Sequence, residues 1–325
     1  MNHQNFIRRR DFLAAAGAAS LAPTWAQGGY PNRPVRIIIP IQAGGIVDTT
    51  MRLLADRLSA SLGQPVMIDN RPGGNYMIAV NAVASAPADG YTLFGYHLGI
   101  VATQAVMRKY DVLDSFTQIA MTGDLPNVVA VSAASPFRTL EDLIANGKSH
   151  PGQLNYPSPG TGSIEHLKSI EFERAAGFGG THVPVKGGPD MVMSLLRGDC
   201  HYALMPTGLG APYASKGQLR YLAIVADERD PSYPGVASLK ELGLKVRPMA
   251  TWMGLAARKG TSPAVVQRLF AEVNRAMQAP ELRQRLLQQS IRASTMASPA
   301  EFEAFVREEL RGLTATVALA GVRVD

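Results

Sequence analysis

The sequence predicts an α/β protein of two similar lobes with a cleft between them. From Pro31 onward, short β-branched runs alternate with segments of helical period, the pattern of strand-turn-helix units with largely parallel sheets. Glycine- or hydroxyl-rich turns recur where a strand hands over to a helix. Two extended runs, around 116–132 and over 246–257, break the alternation and offer crossings between the lobes, which implies a hinge.

The first lobe opens with a buried strand at 36–40. A helix over 48–62 follows, with Met51, Leu54, Leu58 and Leu62 on one face and Gly63 at its end. Next come a strand at 66–69, the turn Asn70-Arg71-Pro72-Gly73-Gly74 and a helix over 78–86. Pro87-Ala88-Asp89-Gly90 then punctuates the chain before a strand at 91–95. Extended segments at 116–120 and 127–132 flank Gly123-Asp124-Leu125-Pro126, the first crossing.

The second lobe reads as helix 139–146, strand 154–156, helix 163–176, strand 181–185, helix 189–197, strand 200–205, helix 209–216 and strand 219–226. The run 246–257, which contains Thr251-Trp252-Met253-Gly254, carries the chain back. The tail is helical. Pro263 follows Ser262 at a helix start with Val266, Leu269, Phe270 and Val273 on one face, and Ser298-Pro299-Ala300-Glu301 is a capping-box start for a last helix. This reading assigns 27–125 plus 252–325 to lobe 1 and 126–251 to lobe 2.

Residues 1–26 are a different kind of segment. Arg8-Arg9-Arg10-Asp11-Phe12-Leu13 leads into a short, mildly apolar, alanine-rich stretch, and small residues at Thr24 and Ala26 fit cleavage after Ala26. Paired Arg9-Arg10 before Phe12-Leu13 matches a twin-arginine export signal, and the apolar run is too short to span a bilayer. Removing it, with three arginines and one aspartate, takes the formal net charge from +6 to +4. The remaining cations are scattered among acids without an aromatic-interleaved basic run, which argues against nucleic acid as a partner. Cys200 is the only cysteine, so no intramolecular disulfide forms. There is no lipobox cysteine, so the expected product is a freely soluble periplasmic protein.

Catalytic constellations are absent. The sequence has no G-x-S-x-G elbow, no phosphate-binding G-x-x-x-x-G-K-[ST] and no H-E-x-x-H. Gly177-Phe178-Gly179-Gly180 precedes a strand rather than a helix and fails the context for dinucleotide binding. His97, His150, His166, His182 and His201 fall on different elements without metal-ligand spacing, and Cys200 and His201 are adjacent in a strand and point to opposite faces. No cofactor or metal is expected.

What recurs is the turn before a helix: Ala43-Gly44-Gly45, Arg71-Pro72-Gly73-Gly74, Pro159-Gly160-Thr161-Gly162-Ser163 and Lys186-Gly187-Gly188. Open α/β sheets bind ligands beyond the carboxyl ends of their strands, and a helix N-terminus suits an anion. Taken alone, the segment from Ile37 to Asp48 reads equally well as an anion pocket or as a plain connector with Asp48 as a cap. The same turn in both lobes favours a ligand held between them.

Several motifs in order along the chain resemble a known family. They are Tyr30-Pro31-Asn32-Arg33-Pro34-Val35, Pro40 with Ala43-Gly44-Gly45 and Asp48, Leu62-Gly63-Gln64-Pro65-Val66, Asn70-Arg71-Pro72-Gly73, Pro87-Ala88-Asp89-Gly90-Tyr91-Thr92-Leu93, Leu154-Asn155-Tyr156, His182-Val183-Pro184 with Lys186-Gly187, and Gly217-Gln218-Leu219-Arg220. The chain resembles the Bug family, the extracytoplasmic solute-binding proteins of tripartite tricarboxylate transporters.

That resemblance implies a type II periplasmic-binding-protein fold and a monomeric, non-enzymatic receptor that delivers a small carboxylate to the membrane subunits of the transporter. It implies ligand contacts at Gln42, Ala43, Gly44, Gly45 and Asp48 in lobe 1, and at Gly160, Thr161, Ser163, His166 and Thr207 in lobe 2; Asp48 reads equally well as a helix N-terminal residue only. Ile41, Gln42, Val185 and the pair Tyr96-His97 depart from the family pattern near the expected pocket. Tyr96 and His97 are therefore candidates for a stacking face or a hydrogen bond to an aromatic or unusual acid, or for side chains that pack away from the cleft. Two rival roles stay open: a sensor that presents the ligand to a membrane signalling partner, and a secreted enzyme using His97 or His166 as acid or base.

Overall fold

The computed structural model describes residues 29–247 and 250–321; the expected export signal at 1–26 lies outside them. Two main sheets form the body. The first has the strand order β2-β1-β3-β10-β4, made of β1 (Val35–Ile39), β2 (Val66–Asn70), β3 (Thr92–His97), β4 (Phe116–Leu125) and β10 (Thr251–Arg258). Its central strand β1 reads Val-Arg-Ile-Ile-Ile because helices cover both faces, so that Val35, Ile37, Ile38 and Ile39 are all fully buried.

On one face, α1 (Ile46–Leu62) and α9 (Pro263–Gln278) pack Met51, Leu54, Leu58, Leu269 and Val273 against β1 and β10. The predicted stripe on α1 is this buried face. Gly63 closes the helix in the left-handed conformation (φ 67°), donating its N–H to Ser59 O. On the other face, α2 (Met77–Ala84), α3 (Leu98–Met107) and α11 (Pro299–Ala320) enclose Phe94, Tyr96, Trp252 and Phe302. A short α4 (Val112–Ser115) leads into β4, and α10 (Pro280–Leu287) follows α9.

The second sheet has the order β8-β5-β9, from β5 (Asn127–Ser132), β8 (Ala203–Pro206) and β9 (Leu219–Ile224). A separate parallel pair, β6 (Asn155–Ser158) and β7 (Thr181–Pro184), lies beside it, with α5 (Leu140–Ser149), α6 (Ile164–Ala176), α7 (Gly188–Arg197) and α8 (Thr207–Ala214) packed around both. Two apolar clusters result, one around Phe172 and Tyr202 and one around Met191 and Met205.

The expectation of largely parallel sheets needs correction. β10 runs antiparallel to both β3 and β4, and β5 runs antiparallel to both β8 and β9. The cause is the crossing itself. Pro126 alone separates β4 from β5, too short for the crossover a parallel neighbour needs, so β5 leaves the first sheet and enters the second in the opposite sense. On the return, β10 does the same to the first sheet. All other strands of both sheets therefore point their carboxyl ends at the same gap.

Two further differences concern α3 and α10, where the sequence reading had no separate helix. The α3 segment Leu-Gly-Ile-Val-Ala-Thr-Gln-Ala-Val-Met is apolar nearly all round, so it carries no period to detect.

Candidate functional site

A cavity of about 330 Å³ opens in that gap, next to a shallower one of about 400 Å³. Tyr76, Thr103, Pro159, Gly162 and Ser163 belong to the walls of both, so the two form one cleft between the sheets. Ile41, Ile46, Val47, Leu125 and Met253 make an apolar side, and Glu165 and Thr251 supply polar groups. Among the described residues no lysine or arginine lines either cavity. An anion held here meets backbone dipoles and neutral hydroxyl donors rather than a cationic side chain.

Four helices begin at this cleft. The starts of α1 and α2 have no side-chain cap, whereas α3 and α6 are capped by their own residues: His97 Nδ1 accepts from Gly99 N–H at 3.1 Å, and Ser163 Oγ accepts from His166 N–H at 3.3 Å. A helix N-terminus leaves N–H groups unpaired and carries about half a positive charge. The α1 start retains that character in full; at α2 a 3-10 turn over Gly74–Tyr76 leads into the helix and the Met77 N–H already donates to Gly74 O.

The α1 turn is held open for this by a polar brace. Gly44 takes φ 85°, which a side chain would strain, and its N–H donates to Asp48 Oδ2 at 2.9 Å. Arg52 Nε donates to the same oxygen at 3.0 Å, and Asn70 Nδ2 donates to Asp48 Oδ1 at 2.9 Å and to Ile41 O at 3.1 Å. Burial pushes the Asp48 carboxyl up, but the hydrogen bonds from Arg52, Gly44 and Asn70 outweigh it and hold it below the usual carboxylate range. Asp48 is buried and fully engaged, so it shapes the turn. Gln42, Ala43 and Gly44 are exposed, and Gly45 is half-buried, between the cavity residues Ile41 and Ile46.

Tyr96 and His97 part company because adjacent strand residues face opposite sides. Tyr96 is fully buried, stacked on Phe94 and edge-on to Trp252, with its hydroxyl donating to Gln118 Oε1. The expectation that Tyr96 offers a face to the ligand is thus corrected: the side chain belongs to the core under α11. His97 is in the cavity wall, edge-on to Tyr76 at 5.4 Å. Its Nδ1 accepts a backbone N–H, so the proton of the neutral ring sits on Nε2, an atom that is buried and has no hydrogen-bond partner among the described residues. Burial pushes its pKa down to about 4, so it is an uncharged donor at neutral pH.

In lobe 2, Pro159, Gly160, Thr161, Gly162 and Ser163 wrap the shallower cavity. Their turn rests on a stacked pair, His166 over His182 at 4.0 Å between ring centroids. Gly162 N–H donates to His166 Nδ1 at 3.1 Å, Ser158 Oγ meets His182 Nε2 at 2.7 Å, and Ser163 Oγ donates to Ser158 Oγ at 3.1 Å. Burial and the neighbouring His182 push His166 down to about 4, so this support is neutral. His166 is buried beneath the turn rather than in either cavity wall. Thr207, too, is outside both walls: its N–H donates to Pro126 O at 2.9 Å and its carbonyl accepts from the Tyr221 hydroxyl at 2.7 Å, which pins α8 to the crossing.

A match to the family model described as "Tripartite tricarboxylate transporter family receptor" covers residues 50–318. The chain belongs to the tripartite tricarboxylate transporter receptor family. It is 34% identical over 290 residues to the UPF0065 protein in the gbd 5′ region of Cupriavidus necator, covering 88% of each chain. It is 31% identical over 317 residues to Protein BugT of Bordetella pertussis, covering 96% of each. Among solved structures, the R. palustris protein Rpa4515 with adipate is 29% identical, with a TM-score of 0.77 and coverage of 91% of this chain and 99% of that one. MatC of Rhodopseudomonas palustris with bound malate is also 29% identical, with a TM-score of 0.73 and coverage of 89% and 100%. A TctC solute-binding protein from Polaromonas gives a TM-score of 0.80 at 27% identity, over 89% and 99%. The fold is therefore that of the TctC and Bug periplasmic binding proteins, and the family role is solute binding.

Several residues of this receptor's cleft escaped the sequence reading. Tyr76 carries φ 71° and Asn75 φ 49°, unusual values for residues with side chains, and together they turn the chain into α2 at the cavity wall. Glu165 is the only ionisable acid in either wall among the described residues. Behind it, the fully buried Lys168 donates from Nζ to Thr251 Oγ1 at 3.0 Å, and burial pushes its pKa down to about 8 despite the Glu165 and Glu309 carboxylates nearby. Only the i, i+3 spacing of Glu165 and Lys168 was visible in the sequence, and it does not say which faces the cleft.

Proposed function

We propose that this chain is a periplasmic receptor, monomeric and non-enzymatic, that captures a small carboxylate between its two lobes and delivers it to the membrane subunits of a tripartite transporter. The observation that carries the reading is the pair of uncapped helix starts, α1 and α2, at a cleft whose described walls hold no cation. The backbone amides of Ile46 and Val47, in the first turn of α1, suit one carboxylate, and the apolar side formed by Ile41, Leu125 and Met253 suits a carbon skeleton. The relatives crystallised with adipate and with malate support an organic acid as ligand.

The lobes would hinge where the chain crosses, at Pro126 and just before Thr251. Charge-assisted hydrogen bonds in a closed cleft can supply a micromolar affinity, about −8 kcal/mol. Catalysis finds no support in the geometry, since Ser158, whose hydroxyl meets His182, is fully buried, and His97 and His166 are held neutral with one ring nitrogen tied to a backbone N–H. Isothermal titration against a panel of organic acids tests the reading: saturable binding of an acid, recovered chemically intact, is expected. Binding of neutral sugars or cations in its place would refute it.

A further inference from the structure

We infer that the cleft is electrically asymmetric, anion-accepting at the α1/α2 side and anion-rejecting at the α6 side, and that Glu165 selects acids with a single carboxylate whose far end donates a hydrogen bond. The inference rests on the carboxylate reading and assigns a specificity-determining residue to that same site.

The asymmetry is built from three observations. First, the helix starts are unequal: α1 and α2 have no side-chain cap, whereas the start of α6 is already satisfied by Ser163 Oγ. The lobe-2 helix therefore has less to offer an anion than the two lobe-1 helices. Second, α6 carries Glu165 in its first turn, in the cavity wall, and this carboxylate has no hydrogen-bond or ion-pair partner among the described residues. A half-buried acceptor in a closing cleft needs a donor, and a ligand group is placed to provide it. Third, no lysine or arginine of the described walls offsets that charge.

Lys168 lies behind the wall, not in it: its ammonium is fully buried and directed at Thr251 Oγ1. With a pKa lowered by burial to about 8 it keeps its charge at neutral pH and offsets part of the Glu165 charge, while Glu165 is the group that lines the cavity. The Glu165 charge reaches across the cavity to Tyr76, whose hydroxyl is pushed up first by burial and then by Glu165. Tyr76 thus stays protonated, a neutral donor beside the anion-accepting end, with the neutral Nε2–H of His97 next to it.

A ligand that satisfies this arrangement places its carboxylate at Ile46 and Val47, lays an apolar or aromatic body along Ile41, Leu125 and Met253, and turns an amide, hydroxyl or amino group towards Glu165. A second carboxylate at that end would face Glu165 directly. Two like charges a cavity's width apart in partly solvated surroundings cost about a factor of ten in affinity.

Isosteric pairs test this: each diacid from succinate to suberate against its half-amide, in which one carboxylate becomes a carboxamide of the same shape that donates. Wild-type protein is expected to bind the best half-amide about ten-fold more tightly than the matching diacid, and Glu165→Gln to bring the two within about two-fold. Tighter binding of the diacid by wild type, or an unchanged preference in Glu165→Gln, would overturn the inference while leaving the carboxylate reading standing. The fully amidated diamides separate the two: equal affinity for diamide and half-amide would remove the carboxylate reading itself. Failure of the folded protein to bind any member of the series at millimolar concentration would count against both.

Discussion

Replacing Asp48 by asparagine separates a residue that builds the anion cradle from one that touches the ligand. The wild-type carboxylate accepts from Gly44 N–H, Arg52 Nε and Asn70 Nδ2, all at 2.9 to 3.0 Å, and its side chain is only 4% exposed. Asparagine keeps the shape but offers one accepting oxygen, and its amide nitrogen must face at least one donor. A hydrogen bond to a charged group contributes about 1.5–3 kcal/mol. The three do not add, because Arg52 is half-exposed and returns to water, and Asn70 retains Ile41 O. The expected loss is about 2–4 kcal/mol, or on the order of 5–10 °C in Tm.

The sign with pH follows from the lowered pKa of Asp48. Its stabilisation is fully present above the ordinary aspartate pKa and disappears as pH falls through the lower native value, so the variant should lose less stability than wild type between neutral pH and the acid range. Thermal unfolding across pH, with and without a saturating acid, is the assay. Unaltered stability combined with lost affinity would refute the reasoning, since it would make Asp48 a direct ligand contact. An unaltered protein in both respects would remove the brace altogether.

Other substitutions probe the same frame. Lys168→Met should raise stability at pH 7 by about 1–3 kcal/mol, because a lysine whose native pKa is lowered to about 8 is destabilising when charged; the rise in wild-type stability between pH 8 and its unfolded value near 10.4 should vanish in the variant. Gly99→Ala would place a methyl 2.5 Å from His97 Cε1 and 3.3 Å from the Tyr76 hydroxyl, so it should displace both side chains and weaken ligand binding about ten-fold or more, read by titration, while costing under about 2 kcal/mol in unfolding. Ser163→Ala removes the cap of α6 and the hydroxyl bonded to Ser158, and should cost about 1 kcal/mol by denaturant unfolding.

The sequence carried the architecture where periodicity and turn chemistry carry it. Met51, Leu54, Leu58 and Leu62 recur at helical spacing because they face one sheet, and the run Ile37-Ile38-Ile39 is unbroken because helices cover both of its sides. Strand direction left no such trace: whether β10 or β5 runs with or against its neighbours depends on where the chain crosses, not on residue pattern. Placing the end of β3 at residue 95 instead of His97 lost the alternation that separates Tyr96 from His97. The glycine turns at 43–45 and 159–163 were legible as backbone devices; the second lines the cleft, and the first lies between the cavity residues Ile41 and Ile46. Glu165, Lys168 and Tyr76 were not, since their roles arise only when α6 and the start of α2 meet across the gap.

The central claim is that a carboxylate is held by the free amides at the start of α1. Amide nitrogen-proton correlation spectra of labelled protein, recorded while a bound acid is titrated to saturation, test it most directly. Large downfield proton shifts are expected at Ile46 and Val47, as hydrogen bonds to a carboxylate form, with Gly44 nearly unmoved because Asp48 already holds its N–H. Shifts concentrated at the start of α6, with the α1 amides unchanged, would contradict it.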